Sequence, residues 1–138
     1  MAVGITVDFY WYQIGTGDFF HSFFSTIAFN LEGGSWGSRF PVFMKDFYDG
    51  ELKNARITEA LSELDVITEG LKKLPPDKVI WDIEDISKQP PWGSNISTDI
   101  TDLSNYFVTS DGEDLITTIR DAFEMGLQIN EDVHISSL

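Results

Sequence analysis

The sequence contains no cysteine, which excludes a disulfide framework, a thiol nucleophile and a zinc site built on thiolates. It also lacks a basic N-terminal region and any run of 18 apolar residues, so neither a secretory signal nor a membrane span is predicted. These absences together favour a protein that stays in the cytoplasm.

Basic residues are scarce, with nine Lys and Arg against 23 Asp and Glu and a formal charge of -14. Residues 79–138 hold twelve acidic and two basic residues, so -10 of that charge lies in this segment. A phosphate backbone or an anionic lipid would be repelled, which argues against nucleic acid and membrane as partners. A protein with a basic surface would be attracted.

Motifs for nucleophilic catalysis and phosphate binding are missing as well. The two histidines, His21 and His134, lie in no nucleophile-elbow context. The turn Gly15-Thr16-Gly17 lacks the further glycine and the lysine of a phosphate-binding loop. The sequence therefore predicts no enzyme of these classes and no cofactor.

Two groups of carboxylates leave one chemical alternative open. Asp82, Glu84 and Asp85 form the first group, and a second is Asp111, Glu113 and Asp114. Such oxygen ligands suit calcium or magnesium, although their spacing matches no EF-hand loop. A small metal-dependent enzyme or ligand-binding domain using these carboxylates is the alternative to a binding protein.

The length and the hydrophobic pattern predict one domain over residues 1–138. An apolar share of 42% and an aromatic share of 14% are enough for a packed core, which most of the eleven phenylalanines are expected to fill. Apolar residues at helical spacing predict three helices, and alternating residues predict four strands. The helices are expected over 18–31, 54–73 and 113–127, the strands over 3–13, 78–84, 105–110 and 132–137, and a short helix or irregular segment over 40–48.

This order of elements predicts an α+β fold, with a single mixed sheet of about four strands and about three helices mainly on one face. The strands read as polar on one side, so this polar face of the sheet, away from the helices, is expected to stay open to a partner. The loop over 85–104 is long for a compact domain, and loops of that length are often functional.

The stretch from Pro90 to Asp114 is the most detailed part of the sequence. It combines a Pro-Pro-Trp-Gly turn, a run of Asp, Ser and Thr, and the acidic start of a helix. Acidic side chains with aromatic residues nearby can steer and anchor a basic protein surface. The predicted partner-binding residues are Asp82, Glu84, Asp85, Trp92, Asp99, Asp102, Tyr106, Asp111 and Glu113.

Several motifs resemble the bacterial immunity protein 70 family. They are Pro75-Pro76-Asp77-Lys78-Val79-Ile80-Trp81-Asp82-Ile83-Glu84-Asp85, then Pro90-Pro91-Trp92-Gly93 with Asn95-Ile96-Ser97, and Leu103-Ser104-Asn105-Tyr106-Phe107-Val108-Thr109-Ser110-Asp111-Gly112. The strand from Ile5 to Trp11 and the stretch from Asp18 to Phe24 are similar too, so the resemblance covers nearly the whole chain.

The resemblance implies a small cytoplasmic protein encoded beside a polymorphic toxin, whose toxic domain it binds and neutralises so that the producing bacterium survives. It implies no catalysis and no cofactor. Combined with the charge distribution, it suggests that the acidic C-terminal half docks on a basic substrate-binding cleft, as would suit a nuclease toxin.

Overall fold

The structure is a computed structural model that describes residues 2–93 and 96–137. One open sheet has the strand order β2-β1-β4-β3, and every pair of neighbouring strands in it is antiparallel. The strands are β1 (Ala2–Val7), β2 (Tyr10–Thr16), β3 (Glu51–Leu52) and β4 (Val133–Ser137), and the helices are α1 (Gly17–Leu31), α2 (Ile57–Lys72) and α3 (Leu115–Ile129). The predicted α+β class with four strands and three helices is confirmed, but the pairing is antiparallel where a mixed sheet was predicted.

The stretch over 3–13, predicted as one strand, is a hairpin of two. Val7 pairs with Tyr10 across a turn in which Asp8 has a φ of 53°, a left-handed conformation that Asp tolerates better than most residues. The turn reverses the alternation, so Trp11 lies over Gly4 on the face opposite to buried Ile5. A Cβ at Gly4 would lie 2.4 Å from the Trp11 ring, which explains the glycine.

The strand predicted over 78–84 is wrong, because side chains of α1 satisfy the backbone of this segment in place of a neighbouring strand. Thr26 Oγ1 accepts from Ile80 N at 3.0 Å, and both Thr26 Oγ1 and Ser22 Oγ donate to Ile80 O. Ser25 Oγ accepts from Ile83 N at 3.2 Å. The three buried hydroxyls therefore fasten this segment along the helix.

The strand predicted over 105–110 is also wrong. Tyr106 and Phe107 are both buried although they are consecutive, so the segment does not alternate between two faces. Its ladder is limited to one bridge between Val108 and Asp114. The fourth predicted strand is confirmed as β4. Within the loop predicted over 85–104, Ser94 and Asn95 lie outside the described residues.

The helices begin close to their predicted starts. Thr16 caps α1, since Thr16 Oγ1 accepts from Phe19 N at 3.1 Å. Asp114 caps α3 by accepting from Thr117 N at 3.0 Å. The segment predicted as a short helix or irregular structure contains a π-helix, Val42–Phe47.

Aromatic side chains fill the space between the helices and the sheet, as predicted. Nine of the eleven phenylalanines are buried, and Phe9 and Phe29 are exposed. Rings from three elements meet in this core: Phe24 of α1 lies 5.2 Å from Phe43, and Phe47 lies 4.9 Å from Phe123 of α3. Leu103, Tyr106 and Phe107 belong to the same core, and Val79, Trp81 and Ile83 pack against it.

Candidate partner-binding surface

The turn that carries Asp82, Glu84 and Asp85 follows the segment fastened to α1. Asp82 Oδ1 accepts from Glu84 N at 2.9 Å, and this bond, aided by Lys88, holds the pKa of the Asp82 carboxyl below its usual value. Asp85 accepts from Ser87 N at 3.2 Å. Glu84 is exposed, and its carboxylate has no hydrogen bond or ion pair with the described residues. Asp82 and Asp85 therefore shape the turn, while Glu84 is available to a partner.

Asn105 organises the loop that carries Asp99 and Asp102. Its Oδ1 accepts from Thr101 N and Asp102 N at 3.1 and 3.2 Å, and its Nδ2 donates to Asp99 O at 3.2 Å. The Asp102 carboxylate accepts from Ser104 N at 2.8 Å and from Thr101 Oγ1 at 3.1 Å. Asp102 is therefore a turn-forming residue, whereas the Asp99 carboxylate is exposed and bonded to no described residue.

Trp92 and Tyr106 form a pair at the centre of the predicted surface. Trp92 Nε1 donates to Tyr106 Oη at 2.7 Å, and the Trp92 ring meets Trp81 edge-on with centroids 5.5 Å apart. Trp92 is 38% exposed and Tyr106 only 5%. The buried tyrosine thus holds the exposed indole, and burial raises the pKa of the Tyr106 hydroxyl.

Asp111 and Glu113 lie on a turn that docks on the free edge of β2. Ser110 N donates to Ile14 O at 2.9 Å, which joins the turn to the strand. Thr109 Oγ1 donates to Asp111 Oδ1 and accepts from Glu113 N. The Asp111 carboxylate is therefore engaged within the turn, and the Glu113 carboxylate is exposed without a bond to the described residues.

The docked turn creates a depression of about 200 Å³ whose lining includes residues that the sequence did not single out. Trp11 and Gln13 of β2 line it together with Asp121 of α3, and Trp11 Nε1 donates to Gln13 Oε1 at 2.9 Å. One available signal was helical spacing, because Asp114, Thr117 and Asp121 follow one another at intervals of three and four residues. No sequence pattern indicated that Trp11 and Gln13 of β2 would line this depression.

The nine predicted residues thus fall into three stretches, the turn over 82–85, the segment over 92–106 and the turn over 111–113. The contact between Trp81 and Trp92 joins the first stretch to the second. On these stretches and in the adjoining depression, the exposed carboxylates without a side-chain bond to a described residue are Glu84, Asp99, Glu113 and Asp121.

The two carboxylate groups proposed for a metal do not converge in the part of the chain that the structure describes. There, the acidic and histidine side chains whose ligand atoms lie within 4.8 Å of one another are Glu51, Asp132 and His134. Lys53 Nζ lies 2.9 Å from Glu51 Oε1 and 3.7 Å from Asp132 Oδ2. The lysine ammonium therefore accounts for the approach of these two carboxylates.

A comparison with protein families shows what the chain is similar to. The family model for immunity protein 70 matches residues 5–135 of the 138-residue chain. The chain belongs to the immunity protein 70 family. The match includes the three stretches described above. No curated protein and no solved structure matches the chain significantly.

Membership in the immunity protein 70 family implies a toxin as partner and suggests an inhibitor with no catalytic activity of its own. Across residues 2–93 and 96–137, no helix is long and apolar enough to cross a membrane.

Proposed function

We propose that this chain, acting as a single domain in the cytoplasm, binds and neutralises a cognate polymorphic toxin domain by forming a stoichiometric complex. The observation that carries the proposal is the match of the immunity protein 70 model to residues 5–135. The geometry supports a binding function, since the predicted residues build turns and an aromatic pair and form no catalytic constellation among the described residues.

The partner we propose is a toxin domain with a basic surface, such as the substrate-binding cleft of a nuclease. Glu84, Asp99 and Glu113 are exposed acids that carry no compensating cation among the described residues. In residues 79–138 the two bases are already engaged, because Lys88 lies 3.4 Å from Asp82 and Arg120 lies 2.7 Å from Asp65. The field of this half is therefore strongly negative, which accelerates encounter with a basic protein.

Rapid capture suits the proposed role, because an immunity protein must reach the toxin before the toxin acts. Electrostatic steering can raise association rates to about 10⁸–10⁹ M⁻¹s⁻¹ at low salt, against about 10⁵–10⁶ without it. An acidic protein docked over a basic cleft would also exclude the natural anionic substrate of a nuclease. Inhibition would then require no reaction on the part of the immunity protein.

Co-expression with the toxin domain encoded by the neighbouring gene tests this proposal. An affinity tag on the chain should recover the toxin domain in a one-to-one complex, as judged by light scattering during size-exclusion chromatography. Failure of the two proteins to co-purify, with both of them folded, would refute the proposed function.

A further inference from the structure

A groove opens between the segment over 92–108 and the start of α1. Its volume is about 230 Å³, and among its lining residues Ser97 is the one that is neither aromatic nor aliphatic. The other lining residues are Phe19, Trp92, Ile96, Ile100, Tyr106 and Val108. Small-molecule sites measure roughly 300–1,000 Å³. This groove is therefore better matched to one or two side chains of a protein than to a whole ligand.

The groove presents apolar side chains to solvent, and its indole N–H is already bonded. Two of its lining residues, Trp92 and Val108, are among the exposed large hydrophobic residues, at 38% and 45% exposure. Because Trp92 Nε1 already donates to Tyr106 Oη, an apolar group that covers the indole leaves that donor satisfied. Trp and Tyr side chains that line a pocket are typical of the residues that dominate binding energy at interfaces.

The charge around the groove identifies the kind of occupant. Residues 90–114, which supply five of the six aromatic and aliphatic lining residues, contain five acidic residues and no Lys, Arg or His. Asp99 lies next to Ile100, and Glu113 hydrogen-bonds through its backbone to Thr109, the neighbour of Val108. Two exposed carboxylates thus belong to residues that are linked to the groove lining, Asp99 through the chain and Glu113 through a backbone hydrogen bond.

We propose that this groove receives an apolar side chain from a basic segment of the toxin domain, as the anchor of the complex. The inference rests on the proposed function and deepens it by naming the contact surface. The anchor residue enters between Trp92 and Val108, while flanking Lys or Arg residues face Asp99 and Glu113. The acids then govern the rate of encounter, and the groove governs how long the complex lasts.

Val108→Gln tests the anchor without changing the charge, and Val66→Gln is the matched control. Val66 lies on α2 and is also 45% exposed. Calorimetric titration with the inactivated toxin domain should show binding weakened at least about fivefold by Val108→Gln, and unchanged by Val66→Gln. The loss should persist at 0.5 M NaCl, because apolar contacts are not screened by salt. Circular dichroism melting confirms that both variants are folded.

The outcomes separate the anchor from the proposed function. If wild-type protein binds the toxin domain and Val108→Gln binds equally well, the anchor is refuted and the proposed function stands. If folded wild-type protein does not bind the toxin domain, the proposed function falls and the anchor with it. If the free chain forms a dimer in sedimentation experiments and Val108→Gln abolishes the dimer, the groove belongs to a second copy of this chain and the assignment to the toxin is overturned.

Discussion

At the scale of single residues, Glu32 is a buried acid whose carboxylate binds three backbone N–H groups. It is 7% exposed, and its carboxylate accepts from the backbone nitrogens of Gly37, Arg39 and Phe40, each at 2.9 Å. We expect Glu32→Ala to lower the free energy of unfolding by about 3 kcal/mol, because three backbone donors lose their acceptor. Urea denaturation measures this difference.

The control for Glu32 is Glu69→Ala, which removes an exposed carboxylate 3.7 Å from Lys72. Its expected cost is below about 0.5 kcal/mol. Equal stability of the two variants would show that the loop over 33–39 holds its shape without Glu32. This role could not be predicted from the sequence, because one Glu beside a glycine-rich loop resembles an ordinary solvated residue.

Asp102 makes the stability of the protein depend on pH. Burial raises the pKa of its carboxyl, but the hydrogen bonds from Ser104 and Thr101 outweigh burial and hold that pKa below the ordinary 3.8. A lowered folded-state pKa gives stability that is present above the unfolded-state pKa and lost as the pH falls through the folded-state value.

We therefore expect wild-type protein to melt at a higher temperature than Asp102→Asn at pH 7, with the difference shrinking as the pH drops below 3.8. Thermal melts monitored by circular dichroism between pH 7 and pH 3 provide the measurement. A difference that stays constant over this range would mean that the ionised carboxylate has no special role in the loop.

At the scale of elements, the contact between α1 and the segment over 79–83 replaces a predicted strand pairing. We expect Thr26→Val to lower the free energy of unfolding by about 2 kcal/mol, because the N–H of Ile80 loses its acceptor and the C=O of Ile80 keeps only Ser22 Oγ as a donor. Hydrogen exchange of the Ile80 amide should accelerate. Thr68→Val, which removes a hydroxyl bond to Leu64 within α2, should be nearly neutral. Unchanged exchange at Ile80 would contradict this account.

Helices were predictable from the sequence, whereas the strands were predictable only in part. The periodic apolar residues of α2, such as Ile57, Leu64 and Leu71, are buried because one helix face meets the core. The alternation over 78–84 was misleading because Val79, Trp81 and Ile83 do pack against the core, while the backbone of the segment is bonded to side chains of α1 and to no strand. The two-residue strand β3 is too short to leave a periodic pattern at all.

At the scale of the whole molecule, the negative charge of the C-terminal half and its exposed acids lead to one prediction about the complex. Simultaneous substitution of Glu84, Asp99 and Glu113 by Lys should slow association with the toxin domain about tenfold or more at physiological salt. Added salt should reduce the difference in association rate between the variant and wild type. The free energy of unfolding should change little, because these carboxylates bond to no described residue. Stopped-flow mixing measures the rate.

A control with the same change of net charge replaces Asp49, Glu59 and Glu69, which are exposed and lie outside the three stretches of the candidate surface. This control should slow association less than the first variant does. If both variants slowed association equally, net charge alone would set the association rate, without a defined docking surface. Asp82 and Asp102 are left intact because their carboxylates hold turns.

The sequence indicated where the acidic surface lies, but it did not separate the acids that shape turns from those that face solvent. That division depends on local hydrogen bonds such as the one from Ser104 N to Asp102. It also depends on the docking of the turn over 109–113 against β2, which places Trp11 and Asp121 in one depression with that turn. Contacts between residues about a hundred positions apart leave no trace in a single sequence.

Protection of growing bacteria tests the central claim most directly. Cells that express the toxin domain of the neighbouring gene should grow when they also produce the wild-type chain, and growth should fail or slow when the chain carries Lys at positions 84, 99 and 113. Cells that die in the presence of abundant, folded wild-type protein would contradict the account.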